Sequence, residues 1–583
     1  MQILIQQRES HTIKKTLALV PSSRVYSMDV TGCSSISIKL RYSYTILIQD
    51  YNTTDGELSR IVEEIKKRST YKSSTLHKIS YQYEPYCSLD MDRSPLVDKV
   101  LANRHRQRMD NDLKSHHQFM LSHKKRSDDH HNFDIVQNAI EDEKDHQLTF
   151  RICSTYPASF LLPYHVARAD YKEKLKEMID FREKQRIPLI SYIYTDPFGR
   201  HSSLWRSGQL KTGMLGRRQD VDEELISFIG SITFSEKNTH LKRCQIFDCR
   251  PYLNAVGNKI MGKGYLDPEN YKINDVKFGN IANIHVMRKG LEDLLAGFGS
   301  GQGQAATRWV SHLQSILSGA AFVRDKLLEG ISVLVNCSDG WDRTPQVVCL
   351  AKIMLEPYFR TLEGFRVLIH YEWNGFGHKF KSRQYFMDNG EASPVFIQFL
   401  DCVNQIRSQF PEKFEFNEKL LVVLAKAAIE NCFIEFNFDN TEQYMDHDVS
   451  TQMAELSIWR LVYQSLGHFV NPSYEFKDAI LRHKEECSSI PGLTGSGSKR
   501  APSMTDEAGE SQYQLNQFFI ARKNRIVESN QSSTSSKDFT LLEQDVLVPS
   551  LTGTAFFIWN PVYNNFKPKY LTGRAHSLQL RPQ

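Results

Sequence analysis

The sequence predicts an α/β protein in which helices flank a central sheet. Segments typical of helices and of strands alternate from residue 151 to residue 475, as they do in sheets covered by helices. Within this stretch Val333-Leu334-Val335 is a short apolar run suited to a buried strand, and a helix-start signal follows it closely. The chain has 583 residues, of which 40% are hydrophobic and 24% charged, so it is long enough for two or more domains.

A small domain is predicted for residues 1–75. Polar and apolar residues alternate from Ile36 to Gln49, which indicates a β-hairpin. Asp55-Gly56 then opens a predicted helix that carries Leu58, Ile61, Val62 and Ile65. Few residues precede the hairpin, so earlier strands are poorly accounted for and the completeness of this domain stays open.

Two polar stretches interrupt the chain. Residues 76–150 are predicted to be a connector with a polar insertion, and residues 476–545, rich in Ser, Gly and Thr, a disordered segment. Histidines are scattered through the first stretch at irregular spacing, so we favour a solvated insertion over a metal site. They include His105, His116, His117, His123, His130 and His131. Aromatic residues return in residues 546–583, which are predicted to close the main domain.

Composition excludes several classes of protein. The net charge of +5 is small, so it gives no sign of a nucleic-acid partner. No apolar run approaches the ~20 residues that span a bilayer, and the N-terminal residues do not predict a signal peptide. Ten cysteines without paired short spacings argue against a disulfide framework or a zinc ribbon. Cys244 and Cys249 are interpreted as core residues, and a reducing cytosol is the expected compartment.

The most informative motif is C-x-x-G-x-x-R, formed by Cys337, Gly340 and Arg343 directly after the predicted strand. Thr344 is a predicted helix N-cap and Pro345 suits the first helical position. Unpaired amides and the helix dipole would therefore converge on one point and favour an anion. The same field favours a thiolate at Cys337. The alternative is an ordinary buried cysteine, which the whole strand, loop and helix context argues against.

This loop predicts phosphomonoester hydrolysis through a phosphocysteine. Cys337 would attack phosphorus, and Arg343 would bind two non-bridging oxygens bidentately. Asp342 is the preferred general acid and Asp339 the second candidate. The backbone of the loop would complete a cradle for the phosphate. Its members are Ser338, Asp339, Gly340, Trp341, Asp342 and Arg343.

The segment NCSDGWDRT, residues 336–344, resembles the signature of the myotubularin family of phosphoinositide 3-phosphatases. Other segments of residues 151–475 fall in family order, among them Tyr156-Pro157-Ala158, Arg186-Ile187-Pro188, Phe247-Asp248-Cys249-Arg250-Pro251, Gly375-Phe376-Gly377-His378 and Ser393-Pro394-Val395-Phe396. The resemblance implies a cysteine-phosphatase-type sheet preceded by a PH-like GRAM domain, of which residues 1–75 would be a partial copy. It also implies an active enzyme with Cys337 as nucleophile, Asp342 as acid and Arg343 as phosphate clamp.

Substrate contacts outside the loop are implied by the same resemblance. Asn258, Asn283 and Ile284 would hold the inositol ring and a phosphate, although the asparagines alone favour turn chemistry. Lys379 and Arg383 are four residues apart, would share a helix face, and are similar to a family pair that contacts a second phosphate. Without the family match, a solvated helix face is as good an interpretation. The choice between phosphatidylinositol 3-phosphate and the 3,5-bisphosphate stays open.

The expected partners are phosphoinositide lipids at the surface of a cytoplasmic membrane, for instance an endosome, bound peripherally and without a cofactor. Assembly with itself or with other myotubularins is left open, and no sustained heptad predicts a coiled coil. Two alternatives remain. One is a protein tyrosine or dual-specificity phosphatase, because these share C-x-x-G-x-x-R. The other is a phosphoinositide-binding adaptor with little or no catalysis, because the sequence after Arg383 departs from that of relatives.

Overall fold

A computed structural model describes the main domain with short gaps, together with strands near both ends of the chain. The described residues are 2–9, 12–21, 25–30, 35–40, 45–49, 133–141, 148–167, 172–196, 200–232, 243–271, 273–297, 303–384, 390–430, 433–445, 457–474, 546–552, 555–563 and 577–579. The predicted helix after Asp55-Gly56, the histidines of the insertion and the whole Ser-rich segment lie outside these residues.

The strands of the described residues are short and are numbered in chain order. They are β1 (Gln2–Glu9), β2 (Thr12–Pro21), β3 (Val25–Val30), β4 (Ser35–Leu40), β5 (Thr45–Gln49), β6 (Phe133–Gln137), β7 (Ala139–Glu141), β8 (Leu148–Phe150), β9 (Ser159–Pro163), β10 (Leu189–Thr195), β11 (His201–Ser207), β12 (Cys244–Asp248), β13 (Ile273–Phe278), β14 (Val333–Asn336) and β15 (Ser577–Gln579).

The α-helices of the described residues are concentrated after β9. They are α1 (Tyr164–Ala167), α2 (Lys172–Phe181), α3 (Asp220–Ser231), α4 (Tyr252–Ile260), α5 (Ile284–Gly297), α6 (Gly303–Leu328), α7 (Arg343–Leu355), α8 (Leu362–Ile369), α9 (Val395–Gln409), α10 (Glu418–Glu430), α11 (Thr441–Met445), α12 (Ile458–Gln464), α13 (Leu466–Phe469) and α14 (Asn560–Tyr563). A π-helical turn, His370–Gly375, follows α8.

Near the N-terminus the predicted hairpin is present. Strands β4 and β5 pair antiparallel with Ile36 opposite Ile48, and β3 and β15 pair on the outer sides of this hairpin. Strands β1 and β2 form a separate antiparallel pair. Three strands therefore precede the hairpin, where the sequence analysis accounted for none. Assignment of residues 1–75 to a PH-like GRAM domain stays a prediction.

The central sheet of the main domain confirms the α/β prediction. It has the order β10-β11-β14-β12-β13, in which β14 runs parallel to β11 and β12, and β10 closes one edge antiparallel. Val333 and Val335 join the core on one face of the sheet, whereas Leu334 joins the core on the other. Because side chains alternate along a strand, an uninterrupted apolar run is what a strand covered on both faces requires.

Helices cover both faces of this sheet. The face with Val333 and Val335 is the larger core, to which α5, α6, α7, α9 and α10 contribute buried apolar side chains. The opposite face is covered by α2 and α3 through Met178 and Leu225. Within the described residues, no helix is long and apolar enough to cross a bilayer.

The segment after the Ser-rich stretch returns to the larger core. The Tyr563 hydroxyl donates to Asp401 on α9 at 2.6 Å and accepts from the Trp309 indole on α6 at 3.0 Å. The Trp559 indole donates to Glu418 of α10 at 2.8 Å. These described residues therefore complete the packing of the helices on that face.

Candidate active site

Three strands of the central sheet end side by side. The loop with the C-x-x-G-x-x-R motif, residues 337–343, begins there, and we call it the phosphate loop. Asn336, the last residue of β14, is in register with Ser207 of β11 and with Asp248 of β12. The Asn336 amide donates to the Asp248 carboxylate at 3.1 Å. Cys337 therefore leaves the sheet at its carboxyl edge, where open α/β sheets bind their ligands.

The helix after the loop begins earlier than predicted. Arg343 is the first residue of α7, so Thr344 is its second residue and not its N-cap. Asp342 occupies the cap position, but its side chain caps no amide. The loop enters the helix directly because the Asp342 carboxylate is bound by Arg383 and His378 instead.

The Cys337 thiol lies at the bottom of the loop and is 2% exposed. The Gly340 amide donates to its sulfur at 3.2 Å. Gly340 has a φ of +82°, and a Cβ at this position would lie 2.6 Å from the Ser207 carbonyl oxygen. Glycine is required here because the left-handed conformation and the close approach both exclude a side chain.

Two buried arginines bind the loop at a carbonyl oxygen, and we call this side of the loop its back. Arg186 and Arg206 both donate to the Gly340 carbonyl oxygen, at 3.0 and 2.8 Å. Arg206 also donates to the Glu372 carboxylate at 2.6 Å, and Lys352 donates to the other oxygen of that carboxylate at 2.7 Å. Burial alone would raise the pKa of Glu372, but Lys352 and Arg206 outweigh it and hold the pKa below its usual value.

The opposite side, which we call the front of the loop, is formed by backbone N–H groups that have no acceptor among the described residues. Within the described part of the chain, five loop amides donate to no carbonyl or side chain. They belong to Ser338, Asp339, Trp341, Asp342 and Arg343. Backbone amides at the start of a helix form an anion site, and a tetrahedral phosphate would satisfy several of them together.

Arg343 is held only loosely beside these amides. Its guanidinium donates to the Ser338 hydroxyl at 3.1 Å and to the Ile281 carbonyl oxygen at 3.3 Å, and the side chain is half-buried. Neither partner is charged, so a doubly charged phosphate would compete with both of them effectively. Arg343 therefore has the freedom that a phosphate clamp needs.

The two aspartates of the loop lie in different surroundings. Burial would raise the pKa of Asp342, but Arg383 and His378 outweigh it and hold that pKa far below its usual value. Arg383 binds both carboxylate oxygens, at 3.1 and 3.0 Å, and His378 Nδ1 lies 3.2 Å from one of them. For Asp339, burial together with Asp342 and Glu183 raises the pKa. Asp342 is therefore a carboxylate in this arrangement, whereas Asp339 binds its proton more tightly.

Lys379 and Arg383 do not share a helix, contrary to the prediction. They lie in a turn after the π-helical turn, and one backbone bond joins the Arg383 amide to the Lys379 carbonyl oxygen at 2.9 Å. The chain cannot continue as a helix because it bends at Gly377, where φ is +64° and a Cβ would meet the Thr155 carbonyl oxygen at 2.6 Å. Both cations nevertheless reach one anion, the Glu391 carboxylate, at 3.6 and 2.9 Å.

The three residues expected to contact substrate outside the loop are engaged with the protein. The Asn258 amide on α4 donates to Gln209 at 3.2 Å, and the Gln209 backbone amide donates to the Ser338 carbonyl oxygen at 2.9 Å. Asn283 accepts from the Val286 amide at 3.1 Å and so caps α5. The Ile284 carbonyl oxygen accepts from Ser393 at 3.0 Å. Asn258 reaches the loop through Gln209, whereas Asn283 caps a helix, a role that the sequence did not predict.

Four residues of this site were not singled out by sequence reasoning. Gln209, Arg186, Arg206 and Glu372 are all buried and hold the loop or its neighbours. The detectable signal was a charged residue inside an apolar strand or helix pattern, as in Leu204-Trp205-Arg206. Such a residue must find a buried partner, but the sequence does not name the partner.

No metal site accompanies the loop in the part of the chain that the structure describes. No group of three or more His, Cys, Asp or Glu side chains there is placed to hold a metal ion. Cys244 and Cys249 are fully buried with unpaired thiols, as expected for core residues. Burial raises the pKa of the Cys244 thiol to about 12, so this cysteine stays a thiol near neutral pH and is a poor nucleophile.

Comparison with known proteins agrees with this geometry. The sequence profile of the myotubularin-like phosphatase domain matches residues 116–445. Myotubularin of Xenopus laevis is 36% identical over 355 residues, which are 58% of this chain and 57% of that protein. Myotubularin of Rattus norvegicus is 37% identical over 339 residues, covering 56% and 54% of the two chains.

A third relative carries a more specific name. Phosphatidylinositol-3,5-bisphosphate 3-phosphatase MTMR2 of Mus musculus is 36% identical over 339 residues, which are 56% of this chain and 50% of that protein. The chain thus spans only about half the length of each of these curated relatives. The profile match alone covers more than half of this chain and includes the whole candidate loop. This protein therefore belongs to the myotubularin family.

Proposed function

We propose that this protein is a phosphoinositide 3-phosphatase that removes the D3 phosphate of phosphatidylinositol 3-phosphate and of the 3,5-bisphosphate. The observation that carries the proposal is that one loop, at the carboxyl edge of the sheet, combines a buried thiol, five amides without an acceptor among the described residues and an Arg343 with only neutral partners there. The printed name of the MTMR2 relative supports the choice of lipid.

The proposed chemistry has two steps through a phosphocysteine. In the first, Cys337 attacks phosphorus as a thiolate; the S–P bond forms, the bond to the inositol oxygen breaks, and that oxygen takes a proton from a loop acid. In the second, water attacks phosphorus, gives a proton to the same carboxylate, and Cys337 leaves as a thiolate. Arg343 and the loop amides bind the non-bridging oxygens in both transition states.

Asp342 is our preferred acid, although its surroundings set a condition. As long as Arg383 binds both of its oxygens, Asp342 has no proton to give. Arg383 must therefore turn toward another anion, and a lipid phosphate other than the one cleaved, which Lys379 would also reach, is the natural candidate: the 1-phosphodiester of either lipid, or the 5-phosphate of the bisphosphate. Asp339, whose pKa is raised, is the second candidate.

The acid is tested by comparing leaving groups. Asp342→Asn should slow release of the inositol oxygen, a poor leaving group, by roughly 10²–10⁴-fold, and slow hydrolysis of an activated aryl phosphate far less. Asp339→Asn is the matched control and should affect both substrates equally. If the selective loss appears in Asp339→Asn instead, the proton comes from that residue.

The activity itself is tested with purified protein under reducing conditions. Wild type should release phosphate from water-soluble short-chain phosphatidylinositol 3-phosphate, and Cys337→Ser should release none, because the hydroxyl is a far weaker nucleophile than a thiolate. A faster reaction on phosphotyrosine peptide than on the lipid would identify a protein phosphatase instead. Lipid binding without turnover by wild type would identify an adaptor.

The remaining parts of the proposal concern the setting of the enzyme. We place it at phosphoinositide-containing cytoplasmic membranes, endosomes among them, as a peripheral protein that needs no cofactor. Residues 1–75 would supply a PH-like GRAM domain. Oligomers with itself or with other myotubularins are tested by sedimentation of the full chain.

A further inference from the structure

The five most exposed large apolar side chains on the segments next to the phosphate loop lie on two neighbouring parts of the chain. Met214 and Leu215 are 73% and 100% exposed, and Leu253, Ile260 and Met261 are 79%, 73% and 75% exposed. We call these five residues the apolar rim. Soluble surfaces leave single apolar residues exposed routinely, but a contiguous group of this kind marks an interaction site.

The first part of the rim is the tip of a tight turn. Gly216 donates its amide to the Gly213 carbonyl oxygen at 3.3 Å, and Arg217 donates to the Thr212 carbonyl oxygen at 2.8 Å. Both glycines have a φ of +64°, so Met214 and Leu215 are the two central residues of the turn. A turn of this shape presents its central side chains outward and buries neither of them.

The second part is one face of α4 and the residue after it. Leu253 and Ile260 are seven residues apart, so they lie on the same side of the helix, two turns from each other. Gly257 lies between them on that face, and a Cβ there would meet no atom within 4 Å. This face of the helix is therefore open along its length.

The two parts are packed against each other. A Cβ at Gly213 would lie 4.0 Å from the Gly262 carbonyl oxygen, and the Gly264 amide donates to the Leu210 carbonyl oxygen at 2.9 Å. The same segments reach the phosphate loop, because Gln209 binds both Asn258 and the Ser338 carbonyl oxygen. The rim thus belongs to the structure that carries the loop.

The two segments that carry the rim contain cationic side chains and no acidic ones. Residues 211–218 and 251–264 contain no Asp or Glu, and they carry Lys211, Arg217, Arg218, Lys259 and Lys263. Arg218 and Lys263 are paired with acidic residues of other segments. Arg217 remains exposed on the turn itself, with its guanidinium 5.8 Å from the centre of the Phe181 ring. Apolar side chains with cations beside them match an anionic lipid surface. The apolar side chains can enter among the acyl chains, and the cations can bind the head groups.

We propose that the apolar rim is the surface through which this protein docks on anionic phospholipid bilayers, with Met214 and Leu215 inserted at the level of the head groups. The choice of a lipid partner rests on the proposed function, whose substrate is part of a membrane. Docking through the rim brings a membrane-bound head group to the loop beside it, so a substrate need not leave the bilayer.

The test is cosedimentation of the full chain with vesicles of phosphatidylcholine that contain about one fifth phosphatidylserine. Met214→Ser/Leu215→Ser should lower the partition coefficient about tenfold or more, since two buried apolar side chains are lost. Arg217→Gln should lower the partition coefficient about fivefold. Added salt should reduce vesicle binding of the wild type more than that of this variant. The control is Ile135→Ser/Val548→Ser, which removes side chains of 52% and 65% exposure elsewhere and should bind as wild type does.

Catalysis gives a second readout that separates this inference from the proposed function. The rim variant should hydrolyse water-soluble short-chain lipid at the wild-type rate and vesicle-embedded lipid more slowly, in proportion to its lost binding. Failure of wild type to hydrolyse the soluble lipid would sink the proposed function and leave the binding test intact. Unchanged vesicle binding by Met214→Ser/Leu215→Ser would overturn the rim proposal. The rim proposal would also be overturned if wild type sediments as a dimer and Met214→Ser/Leu215→Ser as a monomer, because the rim would then bind a second copy of the chain.

Discussion

The back and the front of the phosphate loop use the same kinds of residue in opposite ways. Behind the loop, Arg206 donates to the Gly340 carbonyl oxygen at 2.8 Å and to the buried Glu372 carboxylate at 2.6 Å, and Lys352 pairs with the same carboxylate. In front, Arg343 has two neutral acceptors at 3.1 and 3.3 Å. Arg206 is thus held by a buried carboxylate, whereas the partners of Arg343 in the described part of the chain are all neutral, as the phosphate clamp that we propose would require.

This difference separates stability from catalysis within a few residues. A buried charge that is fully paired is costly to disturb, because removing one partner leaves the other unpaired in a medium of low dielectric constant. A half-buried charge with weak partners costs little to redirect toward a phosphate. We therefore expect substitutions behind the loop to act on folding and those in front to act on turnover.

The largest effect is expected from Glu372→Gln. It leaves Lys352 and Arg206 without their shared anion, which should lower the free energy of unfolding by roughly 3–5 kcal/mol. Thermal and urea unfolding measure this loss. Glu329→Gln is the control, because that carboxylate is 42% exposed beside Lys326 and its pair should contribute less than about 1 kcal/mol. Equal stability of both variants would break the comparison.

Arg343→Lys should act on turnover instead. A point charge cannot bind two phosphate oxygens in the fixed geometry of a guanidinium, so kcat should fall on the order of 10²–10³-fold. The unfolding temperature should stay within the error of wild type, because only two neutral contacts are lost. A variant that is both inactive and unstable would show that Arg343 belongs with the residues behind the loop.

A smaller effect, on the pH dependence of stability, sharpens the role of pairing. Glu415 is half-buried, whereas Glu372 is fully buried; the Glu415 carboxylate accepts from the Leu362 amide at 2.7 Å, and loss of solvation raises its pKa to about 7. A raised carboxyl pKa stabilises the folded state below the unfolded value, and this contribution is lost as pH rises from about 4.5 to 7.

Glu415→Gln should therefore gain stability relative to wild type as pH rises from 5 to 8. The expected gain is roughly 2–3 kcal/mol, from the change in differential protonation across that interval. Unfolding temperatures of both proteins across this range measure it. A constant difference between them would mean that Glu415 titrates as an exposed carboxyl does.

The sequence predicted the front of the loop better than the back. Cys337, Gly340 and Arg343 lie within seven residues, so local spacing sufficed to predict one short loop between a strand and a helix, which the structure shows. Arg206 and Glu372 are 166 residues apart, and only the tertiary fold brings them together. Their pairing depends on the order of the strands, which no local pattern encodes.

Two local predictions were wrong because tertiary contacts overrode propensity. Thr344 is a good cap by its chemistry, but the loop holds Arg343 in the first helical turn. Lys379 and Arg383 have helical spacing, but the close approach of Gly377 to Thr155 ends the preceding helical turn. Near the N-terminus, β1 to β3 were missed, whereas the alternating β4–β5 hairpin was found.

The order in which this chain is synthesised gives one feature a further meaning. The Trp309 indole on α6 donates a hydrogen bond to the hydroxyl of Tyr563, which is 254 residues later in the chain. Arg324 donates to the carbonyl oxygen of Leu547, 223 residues later. On a ribosome that emits N-terminal residues first, the loop with Cys337 emerges long before these partners do. The part of the larger core that Leu547, Trp559 and Tyr563 cover must therefore remain exposed until those residues have been synthesised, so the packing of its helices cannot be completed before then.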